Sequence, residues 1–159
     1  MKLEDIFLVA LGFAFAVILL KPSSSRPSSD APVIAVADTL SEWQILQLSI
    51  AYTESKFRPD AVGKDGDTGI LQLREIYIEE VNRLYGTSYT IEDAFDIDMS
   101  IEMFEKMQAH YNKDKILEQA LYYHNKSPLY TKTVKRNMEL IKRAEIFRAK
   151  LIEGEKSRE

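Results

Sequence analysis

The chain has 159 residues, no cysteine, 45% hydrophobic and 29% charged residues, and a formal net charge of -4. This length accommodates one domain with an additional segment, and the absence of thiols excludes a disulfide framework and a cysteine-ligated metal site. Because a phosphate-binding surface needs an excess of basic residues, the acidic balance argues against nucleic acid as a partner. The histidines are His110 and His124 alone, so we expect no metal and no cofactor. The protein is then expected to work with carboxylates or to have no catalytic activity.

The first segment is an apolar run without charge, Ile6 to Leu20, IFLVALGFAFAVILL. As a helix it would be about 22 Å long, against roughly 30 Å for the hydrocarbon core of a bilayer. The leading MKLED is not positively charged overall, and a small-x-small cleavage pattern at residues 35–37 lies far beyond the run. We therefore expect residues 1–20 to be an uncleaved membrane anchor, with a cleaved signal peptide as the alternative. The lysines and arginines on the two sides do not fix its orientation.

A serine- and proline-rich stretch, KPSSSRPSSDAPVIAVA, occupies residues 21–37 and predicts an extended linker. Helical periodicity prevails from Asp38 onward and predicts a mainly α domain over residues 38–150. The last residues, 151–159, are predicted to be a charged tail.

The first predicted helix begins with a capping-box pattern, Ser41 and Gln44. Its apolar stripe contains Trp43, Leu46 and Ile50. Glu54 follows one turn after the stripe, so we expect its carboxyl group on the side of the helix that faces the core.

Further helical segments follow a loop in which residues 69–73 predict a brief extended piece. REIYIEEVNRLYG ends at Gly86, a residue type that terminates helices. Thr90 with Asp93 predicts a cap for the next short helix, and Asp114 is predicted to cap KILEQALYYHN, with Ile116 facing inward. The final helix follows Pro128.

Glu54 and the loop after it, TESKFRPDAVGKDGDTGILQL, are the strongest candidates for a site. Burial disfavours the charged form of a carboxyl group, and a glutamate that keeps its proton is suited to protonate a leaving oxygen. Glycines let the backbone approach a ligand closely, and three occur here, Gly63, Gly66 and Gly69. Position and pattern alone favour the simpler interpretation, a solvated residue at a helix end.

The whole stretch resembles the signature of the Slt-type lytic transglycosylases, the goose-lysozyme-like family. That signature has Glu-Ser, an aromatic residue, Pro, Ala-Val, two glycines and Leu-Met-Gln, and it matches here without a gap. The matching positions are Glu54, Ser55, Phe57, Pro59, Ala61, Val62, Gly66, Gly69, Ile70, Leu71 and Gln72. FDIDMSIEMFEKMQAHY is similar to the family's Asp-rich entry to a helix, with Ser100 in place of the usual asparagine.

The resemblance implies an α-helical lysozyme-like fold and cleavage of the MurNAc–GlcNAc bond of peptidoglycan. By matching position, Glu54 is the single catalytic acid and base. It protonates the glycosidic oxygen and then takes the proton of the muramyl C6 hydroxyl, which closes a 1,6-anhydro ring without water. Ser55 is implied to orient Glu54, and Gln72 with the loop from Gly66 to Gly69 to line the sugar subsites.

ALYYHNKSP resembles the family's Ala-Tyr-Asn segment in two registers. In one, His124 replaces the tyrosine and Asn125 is kept. In the other, Tyr123 is kept and His124 replaces the asparagine, as in some conjugation-associated relatives. Tyr123 and His124 are thus candidates for catalytic support and Asn125 for substrate binding, with ordinary helix packing as the alternative and no metal role.

Asp67 permits a second interpretation of the same loop, because DTGILQ also resembles chicken-type lysozymes. In that family an aspartate at this offset from the catalytic glutamate is the second catalytic carboxylate. Two carboxylates about 5 to 9 Å apart permit hydrolysis by water. A loop-capping role for Asp67 is the simpler alternative.

The leading hypothesis is therefore a membrane-anchored lytic transglycosylase whose domain faces the periplasm or cell wall, or that is associated with a virion. Its expected partners are peptidoglycan strands, the membrane through residues 1–20, and components of secretion, conjugation or phage assembly. The alternatives are a hydrolytic lysozyme and a non-catalytic glycan-binding or assembly module. Retention of Glu54, Ser55 and Gln72 counts against the non-catalytic module.

Overall fold

The described part of the chain is mainly helical, as predicted. A computed structural model describes residues 40–156, which form five α-helices, one short 3-10 helix and no β-strand. The helices are α1 (Glu42–Ser55), α2 (Glu75–Tyr85), α3 (Ile97–Tyr111), α4 (Leu117–His124) and α5 (Pro128–Lys156), with the 3-10 helix (Glu92–Phe95) between α2 and α3. Such an arrangement is consistent with a lysozyme-like α domain.

Helix α1 is the central element, and both of its ends are defined by local chemistry. The Ser41 hydroxyl accepts a hydrogen bond from the Gln44 amide at 3.2 Å, and the Gln44 side chain accepts one from the Ser41 amide at 2.8 Å. This confirms the predicted capping box. At the other end Lys56 and Phe57 adopt left-handed backbone angles, with φ of 57° and 62°. The chain therefore turns away directly after Glu54 and Ser55.

The core surrounds α1, which buries residues on most of its sides. Its buried apolar residues are Ile45, Leu46, Leu48, Ile50 and Ala51. Helix α5 packs along α1, and α3 packs against α2 and the 3-10 helix. Complete burial of a leucine or isoleucine contributes about 1.5–3 kcal/mol, so these contacts fix the position of α1 and of the glutamate at its end.

The loop between α1 and α2 closes on itself through short antiparallel contacts. Isolated bridges join Val62 to Thr68 and Thr68 to Leu73. Residues 69–72 form turns, and Gln72 has a left-handed φ of 50°, so the prediction of a brief extended piece at residues 69–73 is wrong. The Thr68 and Leu73 amides each donate to the other's carbonyl at 2.9 Å. The loop is thus an ordered structure that presents its side chains in defined directions.

One of the predicted helix boundaries is confirmed, one is confirmed in part and one is wrong. Gly86 ends α2 with a left-handed φ of 65°. The Asp93 carboxylate accepts the Thr90 amide at 2.7 Å, but the residue at the start of the 3-10 helix is Ile91, and no side chain caps that helix. Asp114, in contrast, does not cap α4, which begins at Leu117.

The start of α4 is set by Asn112 instead. Its side chain accepts the Ile116 amide and donates to the Ile116 carbonyl, both at 2.9 Å. Lys115 has a φ of 50°, which interrupts any helical path from Asp114. Ile116 is consequently exposed at the helix start and does not face inward as predicted.

The predicted anchor (residues 1–20) and linker (residues 21–37) lie outside the described residues. Among the helices of residues 40–156, none combines the length and the apolar character that a membrane span requires. Helix α5 continues to Lys156, across the boundary at residue 150 between the predicted domain and tail.

Candidate active site

A cleft of about 1030 Å³ opens beside the end of α1, and Glu54 lies in its wall. The loop contributes Asp67 and Gln72, and α4 contributes Tyr123 and His124. Residues of α2 and α3 complete the wall. A volume of this order accommodates an extended ligand of several rings.

Glu54 is partly withdrawn from water, with 19% of its side chain exposed. Its Oε1 atom lies 3.3 Å from Nε2 of His124. The carboxyl group is thus held in the wall of the cleft and remains partly accessible to a ligand.

His124 is nearly enclosed, with 6% of its side chain exposed. Its ring packs edge-on against Phe104 and obliquely against Tyr130, with centroid distances of 6.1 and 5.9 Å. The Nδ1 atom is buried and has no hydrogen-bond partner among the described residues. The polar contact of this ring is therefore directed at Glu54.

Tyr130, in the first turn of α5, is a neighbour of Glu54 that no motif in the sequence indicated. Burial raises the pKa of the Tyr130 phenol far above its usual range, and the negative charge of Glu54 adds to the effect. The phenol therefore stays protonated. Its oxygen has no partner at ordinary hydrogen-bond geometry within the described residues, so its interaction with the carboxylate is mainly electrostatic.

Ser55 positions the end of α1 through the backbone. Its buried hydroxyl has one proton to donate and lies within hydrogen-bond distance of two carbonyls, at 2.9 Å from that of Ile70 and 3.1 Å from that of Ala51, and it accepts the Arg58 amide at 3.1 Å. These bonds join the helix end to the glycine loop. Any orienting effect on Glu54 thus passes through the main chain, since the hydroxyl is directed at backbone groups.

Gln72 lines the cleft and also closes the loop. Its side-chain amide nitrogen donates to the carbonyls of Gly69 at 2.9 Å and Ala61 at 3.1 Å. Its side-chain oxygen accepts no hydrogen bond from the described residues and is the atom of this amide that remains for a ligand.

Gly66 and Gly69 shape the loop and lie outside the cleft wall. Gly69 has a φ of 77°, and a Cβ there would lie 1.8 Å from the Ala94 carbonyl oxygen. Only glycine allows the loop to pack so closely on the 3-10 helix. Gly66, with a φ of 82°, has no neighbour within 4 Å of such a Cβ.

Asp67 lies in the same cleft as Glu54, as the lysozyme alternative requires. One of its carboxylate oxygens is 3.5 Å from Nε of Arg74, which makes a partly exposed ion pair. Within the described part of the chain, no group of three or more His, Asp or Glu residues is placed to hold a metal ion.

Tyr123 and Asn125 also line the cleft, on either side of His124 in the sequence. The Asn125 side-chain oxygen accepts the Ser127 amide at 2.9 Å, which turns the chain into α5. Tyr123 projects from α4 towards Tyr111 of α3, with ring centroids 5.5 Å apart. Of these neighbouring residues, His124 is the one that contacts Glu54.

A helical domain with a half-buried glutamate in a cleft is typical of the lysozyme-like class of glycan-cleaving enzymes. The family model described as Transglycosylase SLT domain matches residues 32–144, so the chain belongs to that family. The resemblance stated above is thereby confirmed. Searches of curated proteins and of solved structures gave no match. Family membership supports a glycan-cleaving activity with peptidoglycan as the substrate.

Proposed function

We propose that the chain is a peptidoglycan lytic transglycosylase that cleaves the β-1,4 bond between MurNAc and GlcNAc and leaves 1,6-anhydro-muramyl ends. The observation that carries the proposal is the position of Glu54, in the wall of a cleft and only 19% exposed, in a chain of the SLT family. A carboxyl group held in this way is suited to act first as an acid and then as a base.

In the first step the protonated Glu54 donates its proton to the glycosidic oxygen. The bond from that oxygen to C1 of the muramyl residue breaks, and positive charge develops at C1 and the ring oxygen. The ionised carboxylate of Glu54 stabilises this charge from nearby.

In the second step the Glu54 carboxylate takes the proton of the muramyl C6 hydroxyl while O6 forms a bond to C1. Glu54 regains its proton, no water is consumed, and the product is a 1,6-anhydro ring. His124 and Tyr130 are positioning residues in this scheme. The His124 ring makes a polar contact with the Glu54 carboxylate, and the Tyr130 phenol lies near it.

The remaining cleft residues bind the glycan. Gln72 offers its side-chain oxygen, and Tyr123 and Asn125 line the wall formed by the end of α4. Gly66 and Gly69 contribute indirectly, because they permit the loop conformation that presents Gln72.

A second candidate is a hydrolytic lysozyme in which Asp67 assists water, and the presence of Asp67 in the same cleft favours it. The two reactions respond differently to Asp67→Asn. Under the transglycosylase proposal this variant keeps most of its activity, because Asp67 holds only a partly exposed ion pair with Arg74. A loss of about a hundredfold or more in kcat would support hydrolysis.

The experiment that tests the proposal uses the full chain and purified peptidoglycan sacculi. Release of soluble fragments is measured for the wild type and for Glu54→Gln. We expect the variant to fold, to keep its melting temperature within a few degrees and to release no fragments, since the amide cannot supply the proton. Full activity of Glu54→Gln would remove Glu54 from its proposed role.

We place the enzyme at a membrane, with its domain facing the periplasm or cell wall, or else on a virion. The support is the apolar run of residues 6–20 and the serine- and proline-rich stretch after it. Components of secretion, conjugation or phage assembly are the partners that such local cleavage would serve. Fractionation of cells that express the full chain, compared with a chain lacking residues 1–20, tests the anchor.

A further inference from the structure

We propose that Tyr111 and Tyr123 form a sugar-stacking platform in the cleft, held in place by the Glu80–Arg83 pair, and that it binds one pyranose ring of the glycan beside the bond that is cut. This inference rests on the proposed function, since it adds a binding position to the same cleft. We call these two tyrosines the tyrosine platform.

The two rings of the tyrosine platform come from different helices and meet in the cleft wall. Tyr111 is the last residue of α3 and Tyr123 lies near the end of α4. Their centroids are 5.5 Å apart and their planes are inclined by 34°. They are 38% and 41% exposed, so each ring keeps free surface although it packs against the other.

A charged pair on α2, which also lines the cleft, holds Tyr111 of the platform. The Tyr111 hydroxyl donates to Oε1 of Glu80. Arg83 donates to both carboxylate oxygens of Glu80, through Nε and Nη2, each at 2.7 Å. The ring of Tyr111 is thus oriented before a ligand arrives, which lowers the entropic cost of binding.

The chemistry of the platform fits a neutral sugar ring. Aromatic rings present an apolar face that packs against the C–H face of a pyranose, while the neighbouring polar groups meet its hydroxyls. The charges in contact with the platform, Glu80 and Arg83, neutralise each other.

The location of the platform relates it to the reacting carboxyl group. Tyr123 directly precedes His124, whose Nε2 contacts the Glu54 carboxylate. Because Glu54, Tyr111 and Tyr123 line the same cleft, a strand bound on the platform runs along the wall that also holds the Glu54 carboxyl group.

The test measures binding without turnover. Full-length Glu54→Gln protein is titrated with chitotetraose, a chain of β-1,4-linked GlcNAc, in a calorimeter. In this background we expect Tyr111→Ala and Tyr123→Ala each to raise Kd about three- to tenfold, the range of one aromatic contact. Tyr123→Phe keeps the stacking face, and we expect its Kd within about twofold of the parent. Tyr111→Phe keeps the face and loses the hydrogen bond to Glu80, so we expect a rise in Kd that is smaller than that of Tyr111→Ala.

The matched control is Tyr85→Ala, because Tyr85 is 40% exposed on α2 and lies outside the cleft wall. We expect no change in Kd for this variant. Equal losses in the Ala and Phe variants, Kd values unchanged in the Ala variants, or an equal loss in Tyr85→Ala would overturn the platform. Absence of chitotetraose binding in the parent would overturn it as well.

A kinetic readout separates this inference from the proposed function. In the otherwise wild-type chain, Tyr111→Ala should raise KM on peptide-free glycan strands and leave kcat within about twofold, because the contact persists from ground state to transition state. If the wild type cleaves strands and Tyr111→Ala behaves identically, the platform alone fails. If Kd follows the platform variants and no strand is cleaved, the proposed function alone fails.

Discussion

Oε1 of Glu54 lies 3.3 Å from Nε2 of His124, and this contact joins the last turn of α1 to the end of α4. The two residues come from segments that are far apart in the sequence, so the site exists only in the folded domain. The imidazole is held by Phe104 and Tyr130 and has little freedom to turn away. The position of the Glu54 carboxyl group therefore depends on the packing of α4.

His124 can be tested by separating its volume from its polarity. His124→Leu fills the space beside Phe104 and removes the polar atom that meets Glu54, whereas His124→Gln keeps an amide nitrogen within reach. We expect kcat to fall about tenfold or more in the Leu variant and to recover partly in the Gln variant, with smaller changes in KM. Steady-state kinetics on soluble glycan strands measures both constants. Equal kcat values in the two variants would assign His124 to packing alone.

Tyr130→Phe is expected to lower activity and to leave stability unchanged or slightly higher. The hydroxyl is buried and has no well-formed hydrogen bond among the described residues, so its removal relieves a desolvation cost. The same hydroxyl is the phenolic group beside Glu54, and its loss changes the surroundings of the carboxylate. Thermal melting and kcat are measured together. A melting temperature lowered by several degrees with kcat unaltered would contradict this assignment.

Gly69→Ala and Gly66→Ala form a matched pair for the loop, because both glycines have a positive φ and only Gly69 is closely packed. A left-handed alanine costs roughly 1 kcal/mol. At Gly69 the new Cβ would also meet the Ala94 carbonyl oxygen at 1.8 Å, which adds about 1–3 kcal/mol of overpacking. Chemical denaturation should therefore show a much larger loss for Gly69→Ala. Equal losses would mean that the loop does not rest on the 3-10 helix.

Glu80 gives a prediction about pH. Hydrogen bonds from Arg83 and then from Tyr111 lower the pKa of the Glu80 carboxyl group from 4.5 to about 2. A depressed folded-state pKa stabilises the fold above the unfolded value, and the contribution is lost as the pH falls from about 4.5 through 2. Urea denaturation of the wild type and Glu80→Gln should differ at pH 7 and converge near pH 2. A difference that is constant over this interval would rule out the ionised carboxylate as its source.

Much of the fold and part of the site were predictable because their causes are local. The capping box at Ser41, the helix end at Gly86 and the placement of Glu54 after an apolar stripe depend on neighbours within a few residues. The match from Glu54 to Gln72 indicated the family in the same way. These signals occur at fixed spacings in the sequence, so they can be recognised without knowledge of the tertiary structure.

Other features depend on contacts between distant segments and have no sequence signal of this kind. Tyr130 reaches Glu54 because α5 packs along α1. Tyr111 meets Glu80 because α3 lies against α2. Asn112 displaced Asp114 as the residue that starts α4, since its side chain bonds both backbone groups of Ile116.

Gly69 was correctly singled out by its pattern, but the predicted reason for a glycine at this position was incomplete. The missing side chain was expected to let a ligand approach the loop. In the structure the missing side chain gives room to the Ala94 carbonyl on the opposite side. Periodicity and spacing cannot distinguish these two faces of a loop.

The mass of the glycan ends released from purified sacculi by the full chain tests the central claim most directly. An acid and base that act in turn at Glu54 without water must yield 1,6-anhydro-muramyl ends, and mass spectrometry should find them as the main product. Reducing ends heavier by one water as the main product would contradict this account and identify a hydrolase.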